Sequence, residues 1–375
     1  MEKRKINKLG IETSLLGFGC MRFPMKDGKI EEVEATKMLE RAYESGVNYF
    51  DTAYVYHGGE SEIFTGKVLE KFPRDSYYLA TKLPVWEVHK KEDVERLLNE
   101  QLEKLQKDYI DFYLLHALNG ERWDEMERLE VFEACEELRA KGKIKYIGFS
   151  FHDDYPAFEK IIKAKDWDFC QIQLNYMDTE IQAGLKGYRL AEEMGIPLVI
   201  MEPIKGGNLA TLPEEIESMF KKQRPDDSVA SWALRWVASF PNIMTVLSGM
   251  SNMEQTNDNI KTFTNFETMN DEEKKLVKTV AETIRSRVAN GCTGCGYCMP
   301  CPAGVDIPKN FHIWNQYHMY MNLGGLGWMW NNEIGEEQKA HHCVQCGACE
   351  KVCPQKLKIR ENLKEMEAEI DAALK

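Results

Sequence analysis

Eight of the eleven cysteines in the chain fall between residues 292 and 353, in two tight runs. The first, CTGCGYCMPCP, places Cys292, Cys295, Cys298 and Cys301 ahead of Pro302; the second, CVQCGACEKVCP, places Cys343, Cys346, Cys349 and Cys353 ahead of Pro354. An iron–sulfur cubane is held by four thiolates spread around it. Three cysteines at two-residue intervals can wrap three of its corners, but the chain cannot then easily turn to the fourth. The proline after the last cysteine of each run steers that residue away. The spacing therefore predicts two [4Fe–4S] clusters with crossed ligands. Cys292, Cys295, Cys298 and Cys353 are expected on one, and Cys343, Cys346, Cys349 and Cys301 on the other. Zinc competes less well, because it typically takes two separated CxxC knuckles rather than one dense run. His341 and His342 beside the second run read as solvated surface groups. Cys20, Cys135 and Cys170 are scattered, and read as small buried hydrophobes.

A second set of chemically able residues lies far upstream. Asp51 ends the apolar stretch VNYFD, Lys82 ends YYLATK, and His116 ends DFYLLH; Tyr56 follows Asp51 by five residues. Asp51, Lys82 and His116 are titratable groups at the ends of segments that are otherwise strand-like and apolar, and Tyr56 lies on the adjoining loop.

The elements that must position these groups can be read from periodicity. Strands are expected at 14–21, 47–53, 77–83, 111–117, 144–150, 169–175, 196–202 and 243–249. Most are near-continuous apolar runs, which suits parallel strands buried on both faces. Amphipathic helical segments alternate with them. In EEVEATKMLERAYESG, Met38, Leu39, Ala42 and Tyr43 share a face and Gly46 closes the end. Eight strand–helix units over roughly 250 residues predict an α/β fold, a (β/α)8 TIM barrel, whose C-terminal strand ends host catalysis. A doubly wound sheet fits less well, since no GxGxxG opens a helix.

The first dozen residues predict a hairpin turning at Leu9-Gly10, able to plug the barrel. Domains are expected at 1–267 for the barrel with its hairpin, 268–289 for a connecting helix, and 290–375 for a mainly helical, ferredoxin-like two-cluster domain. In the connecting helix Asn270 is the expected N-cap with Glu273 at N3, and Leu276, Val280, Ile284 and Val288 form the apolar stripe. Between the cysteine runs, Asp306 and Pro308 open a further helix carrying Phe311, Trp314, Tyr317, His318 and Met321. Trp328 and Trp330 are expected to shield a cluster.

Composition bounds the partners. A hydrophobic content of 43% with 29% charged residues is that of an ordinary globular protein. The formal net charge of −13 argues against nucleic acid and against an anionic membrane surface. The basic N-terminus leads into no apolar core, and no apolar run reaches about eighteen residues, so neither signal peptide nor spanning helix is expected. A cytoplasmic location follows, and the clustered cysteines agree with a reducing compartment.

FDTAYVYHGGESE, LATK, DFYLLH, IGFS, QIQLNY and GMSNMEQTNDN, in this order, resemble the aldo-keto reductases, from the hairpin to about residue 265. The cysteine-rich tail resembles the branch of that superfamily fused to a ferredoxin-like domain. The resemblance implies a catalytic tetrad of Asp51, Tyr56, Lys82 and His116, acting on a small carbonyl or alcohol. Tyr56 would give a proton to the developing alkoxide, with Lys82 lowering its pKa, Asp51 holding Lys82, and His116 donating to the substrate oxygen. It also implies an extended nicotinamide dinucleotide, NADP or NAD. Ser150 and Gln171 match positions that bind the carboxamide. Lys205, Gly206 and Gly207 match a loop near the pyrophosphate, and Gly249, Ser251, Gln255 and Asn259 the adenosine-phosphate end. Three positions depart from the pattern. Phe151 replaces an asparagine after the serine, Met201 replaces an aromatic ring against the nicotinamide, and Gly249 and Gln255 stand where some relatives have basic clamps.

Two other functions compete with such an oxidoreductase. In one, the chain is an electron-transfer or redox-sensing protein whose barrel binds the dinucleotide without turnover. In the other, the clusters only staple the fold. Hydride carries two electrons together whereas each cubane takes one, and no flavin motif bridges them. The tetrad is therefore expected to act on hydride chemistry while the clusters serve an external redox protein or the fold. His57, Trp86 and the 22–28 loop are further pocket residues.

Overall fold

The computed structural model describes residues 1–375. The chain divides into two compact units, Met1–Lys205 with Ser231–Asn270, and Gly206–Ala230 with Asp271–Lys375.

In the first unit eight parallel strands close into a barrel: Leu16–Gly19, Tyr49–Asp51, Tyr78–Leu83, Ile110–Leu118, Ile144–Phe151, Phe169–Gln173, Leu198–Met201 and Ile243–Ser248. Side chains alternate across each strand. Tyr49, Ala80, Phe112, Leu114, Phe169, Val199 and Met244 consequently fill the lumen. Phe50, Leu79, Tyr113, Leu115 and Ile147 point the other way, into the layer between strands and helices. The same alternation carries Asp51, Lys82 and His116, each two residues beyond a lumen side chain, to the C-terminal mouth.

Helices cover the outside. Glu32–Glu44 starts where the Glu31 carboxylate accepts from the Glu34 N–H at 2.7 Å. It buries Ala35, Met38, Leu39 and Ala42. Tyr43 stacks on Phe72 with ring centroids 3.7 Å apart. Burying Met38 and Leu39 is worth roughly 1.5–3 kcal/mol each.

The N-terminal hairpin pairs Lys3–Ile6 with Ile11–Ser14, and Gly10 takes the left-handed conformation that its turn requires. Ile6, Leu9 and Ile11 pack against the lumen residues, and the Thr13 hydroxyl donates to the Met244 carbonyl at 2.8 Å. The hairpin thus plugs the N-terminal end of the barrel.

The second unit is helical. Asp271–Ser286 buries Val277, Val280, Ala281 and Ile284. This stripe differs from the expected one: Leu276 is half-buried, and Val288 lies beyond the helix end and is exposed. Glu273 is buried and accepts from the Arg224 Nε at 2.6 Å. Ile307–Tyr320 begins with the Asp306 carboxylate accepting from the Lys309 N–H at 3.0 Å and buries Phe311, Trp314 and Tyr317. The terminal helix Ile359–Ala373 adds Leu363, Met366 and Ile370 to the same core, with six of the eight clustered cysteines packed against it.

One expectation fails here. Trp330 is buried in this core, but Trp328 is 59% exposed and stays outside it. Both lie on the helix Leu323–Asn332, and two residues along a helix turn a side chain by about 200°, onto the opposite face.

Candidate functional site

Four polar side chains meet at the mouth of the barrel. The Lys82 ammonium, fully buried, donates to Asp51 Oδ1 at 2.7 Å, to the Thr52 carbonyl at 2.7 Å, and to the Tyr56 hydroxyl at 3.3 Å. The His116 ring stands edge-on to Tyr56, with centroids 6.1 Å apart. Trp86 flanks His116 at 5.2 Å, and Arg122 lies over Trp86 at 5.6 Å. Asp51 Oδ2 and His116 Nδ1 are buried and have no hydrogen-bond partner within the protein.

Electrostatics then assigns protonation. Burial pulls the Lys82 ammonium down, but the Asp51 carboxylate and the Tyr56 hydroxyl outweigh it and hold its pKa above the ordinary value. Tyr56 departs from expectation. Burial raises its phenol above 10.0, and the opposing pull of Lys82 does not overcome it, so the hydroxyl is protonated at neutral pH. Burial, reinforced by the Lys82 charge, pulls His116 down to about 3, which keeps its imidazole neutral.

The His116 shift has a measurable consequence. Its folded pKa of about 3 lies below the ordinary 6.5, so the unfolded chain takes up a proton first as pH falls. The associated stability is present above pH 6.5 and is lost toward pH 3. A His116→Gln variant is expected to show a shallower fall of unfolding free energy between those values, measured by urea titration at several pH values.

Beneath the mouth a second polar layer holds the Lys82 strand. Glu62 is buried and accepts from Thr81 Oγ1 and Gln101 Nε2, both at 2.6 Å, while Gln101 also donates to the Lys82 carbonyl at 3.0 Å. None of these three stood out in the sequence, where they read as ordinary polar positions on helices and a strand.

Ser150, Gln171 and Met201 lie on neighbouring strands beside the tetrad. Ser150 pairs with Gln171 in register, and Gln171 Nε2 approaches Met201 Sδ at 3.4 Å. Gln171 Oε1 is buried without a partner, a free acceptor suited to a carboxamide N–H. The Ser150 hydroxyl accepts from the Ala117 N–H at 2.8 Å, which leaves its own proton to donate. Phe151 points to the other side of its strand and packs on Phe158 at 5.2 Å, away from the mouth.

Other expected cofactor residues are engaged within the protein. Lys205 makes a two-oxygen ion pair with the buried Asp178 at 2.7 and 2.8 Å. Asp178 was not singled out in the sequence, and it also accepts from Gln173 and Asn175, each at 3.0 Å. Gly206 has a φ of 62°, a left-handed turn position. Gln255 Oε1 accepts from the Ser251 N–H at 2.7 Å, and Asn259 Nδ2 donates to the Ser248 hydroxyl at 2.8 Å. Ser251 Oγ donates to the Arg22 carbonyl at 2.9 Å. The Arg22 Cβ and Cγ stand within 3.0 Å of where a Gly249 Cβ would sit, a close approach that their distance in sequence concealed. His57 meets the 22–28 loop, with Phe23 at 5.7 Å and Met25 Sδ at 3.1 Å from its Nδ1.

In the second unit the cysteines border two cavities. Cys298, Cys301, Cys343, Cys346 and Cys349 line one of about 200 Å³. Cys292, Cys295, Cys298 and Cys353 line a narrower one. Each cavity gathers three cysteines of one run with the last cysteine of the other, and Cys298 borders both. Soft sulfur donors gathered in this way fit an iron–sulfur group.

A family model described as aldo/keto reductase matches residues 15–282, and a 4Fe-4S dicluster domain model matches residues 291–358. An uncharacterized oxidoreductase of Bacillus subtilis, YqkF, is 27% identical over 310 residues, covering 74% of this chain and 96% of its own. The L-galactose dehydrogenase of Arabidopsis thaliana is 25% identical, covering 76% of this chain and 96% of its own. Among solved structures, the holo form of the aldo-keto reductase AKR11C1 from Bacillus halodurans superposes with a TM-score of 0.63 at 26% identity, over 75% of this chain and 96% of that one.

Proposed function

Since the chain belongs to the aldo/keto reductase family, we propose that it interconverts a small carbonyl compound and its alcohol using NADP or NAD, and that its tail carries two [4Fe–4S] clusters. The observation that carries the proposal is the Lys82 ammonium, bonded at once to Asp51 and to the Tyr56 hydroxyl at the barrel mouth. A bound nicotinamide supplies the hydride.

The chain's own residues supply the rest. Tyr56, protonated at neutral pH, gives its proton to the substrate oxygen as negative charge grows there. The phenolate left behind stands 3.3 Å from the Lys82 ammonium, in a site where solvent screens little. Asp51 and the Thr52 carbonyl keep that ammonium in place. His116, neutral, donates an N–H toward the same substrate oxygen. Gln171 and Ser150 would hold the carboxamide, and Met201 would pack against the ring.

The clusters are proposed to act separately from hydride transfer, as one-electron carriers for an external partner. Two anaerobic measurements test the division. Mixing the oxidised protein with NADPH or NADH is expected to leave the cluster absorbance unbleached, while a panel of small aldehydes and ketones oxidises the same dinucleotide. Rapid bleaching without added protein would show that the two chemistries are joined. An unreactive panel in both directions, with tight dinucleotide binding, would favour a sensor that binds without turnover.

A further inference from the structure

Four apolar side chains stand uncovered around the larger cysteine cavity. Tyr297 and Val344 are more than two-thirds exposed, Val352 is half exposed and Met299 over a third, and all four line that cavity. Leaving such surface in water is unfavourable, and a contiguous apolar patch with a polar surround marks an interaction site. Cys346, on the same cavity, is exposed as well, so a group held there lies at the molecular surface.

The segment that supplies Val352 and Arg360 to this patch runs against the charge of the chain. The total is −13, yet Lys351, Lys356, Lys358 and Arg360 fall within ten residues, at the end of the second cysteine run and just beyond it. Arg360 lines the cavity and is paired with Glu350 at 2.8 Å; Lys358 meets Glu361 at 3.1 Å. Lys351 and Lys356 are exposed. An apolar centre with a cationic rim suits transient docking, in which the rim steers the encounter and the centre excludes water.

We propose that this face docks an acidic one-electron carrier protein, one with an iron–sulfur or flavin centre, and that electrons enter or leave through the cluster gathered by Cys301, Cys343, Cys346 and Cys349. This rests on the reading that the clusters carry electrons. A single electron passes at each encounter. The cluster moves between its 2+ and 1+ states as the carrier's centre changes by one in the opposite sense, with no bond made or broken. A basic carrier is disfavoured by the lysines.

The test uses the full chain with its clusters assembled. An acidic plant-type [2Fe–2S] ferredoxin and a basic c-type cytochrome serve as probes, with binding measured by anaerobic calorimetry at several ionic strengths. The ferredoxin is expected to bind and to weaken with salt. A K351E/K356E/K358E variant is expected to bind it about tenfold to a hundredfold more weakly, with an unchanged EPR spectrum. Replacing Val344 by Ser, which leaves the charge alone, is expected to weaken binding by faster dissociation at unchanged salt dependence. Ferredoxin binding indifferent to the charge reversal, or preferential binding of the cytochrome, overturns the proposal. So does a dimer of the chain that the Val344 change dissolves. Methyl viologen separates the levels: clusters that it reduces but that ignore the ferredoxin sink the docking face alone, whereas clusters it cannot reduce sink the electron-carrying role too.

Discussion

Tyr56→Phe is expected to lower kcat for carbonyl reduction by about 10²–10⁴-fold, the range spanned by a positioned general acid. The substitution removes one oxygen and little else. The ring keeps its edge-on packing with His116, and Lys82 keeps its bonds to Asp51 and the Thr52 carbonyl. Dinucleotide binding, followed by fluorescence quenching, is therefore expected to survive while turnover fails. Lys82→Met is a poorer probe, because it strands the buried Asp51 carboxylate, and breaking such a pair costs about 3–5 kcal/mol. Its loss of activity would be mixed with loss of fold.

The pH dependence carries the same assignment. Burial holds the Tyr56 proton above the ordinary 10.0. Reduction needs that proton, so its rate should stay level through neutral pH and fall only at high alkalinity. Alcohol oxidation needs the phenolate and should rise with pH toward the same pKa. A Tyr56→Phe variant with parental turnover, or a reduction profile breaking near neutrality, would remove Tyr56 from the chemistry.

Cys353→Ala is expected to cost the cluster held by the other run, reducing iron from about eight to about four atoms per chain. The reason is the cavity lining, which sets Cys353 beside Cys292, Cys295 and Cys298, and Cys301 beside Cys343, Cys346 and Cys349. Double variants make the assignment decisive, because residues serving one cluster are non-additive. Cys353→Ala with Cys295→Ala should lose no more iron than either change alone. Cys353→Ala with Cys346→Ala should lose nearly all of it. The reverse pattern, read by iron assay and EPR, would show that each run holds its own cluster.

Both expectations begin with features that are local in the chain. The eight strand segments were legible because parallel barrel strands are apolar on both faces, and helical period separates them. Period-two alternation already aligned Asp51 with Tyr49, and Lys82 with Ala80, so a shared mouth for those residues followed from strand geometry. Helix boundaries were read less well. The stripe of Asp271–Ser286 shifted to Val277 and Ala281 because apolar period alone does not say which neighbour covers a face.

What the sequence by itself determined was which residues could do chemistry: eight cysteines in two tight runs, and titratable groups at the ends of barrel strands. Those depend on residue type and on spacings of a few residues, which backbone geometry converts directly into position. Only the tertiary structure decided how the groups are used. It set the Tyr56 shift upward rather than downward, because burial sums over every element around the ring while the sequence exposes one neighbouring charge. It gave Lys205 to Asp178, brought Arg22 to Gly249, and turned Phe151 away from the mouth. It also set the last cysteine of each run beside the other run's three. These outcomes belong to chain segments far apart in sequence, and only packing decides which of them meet.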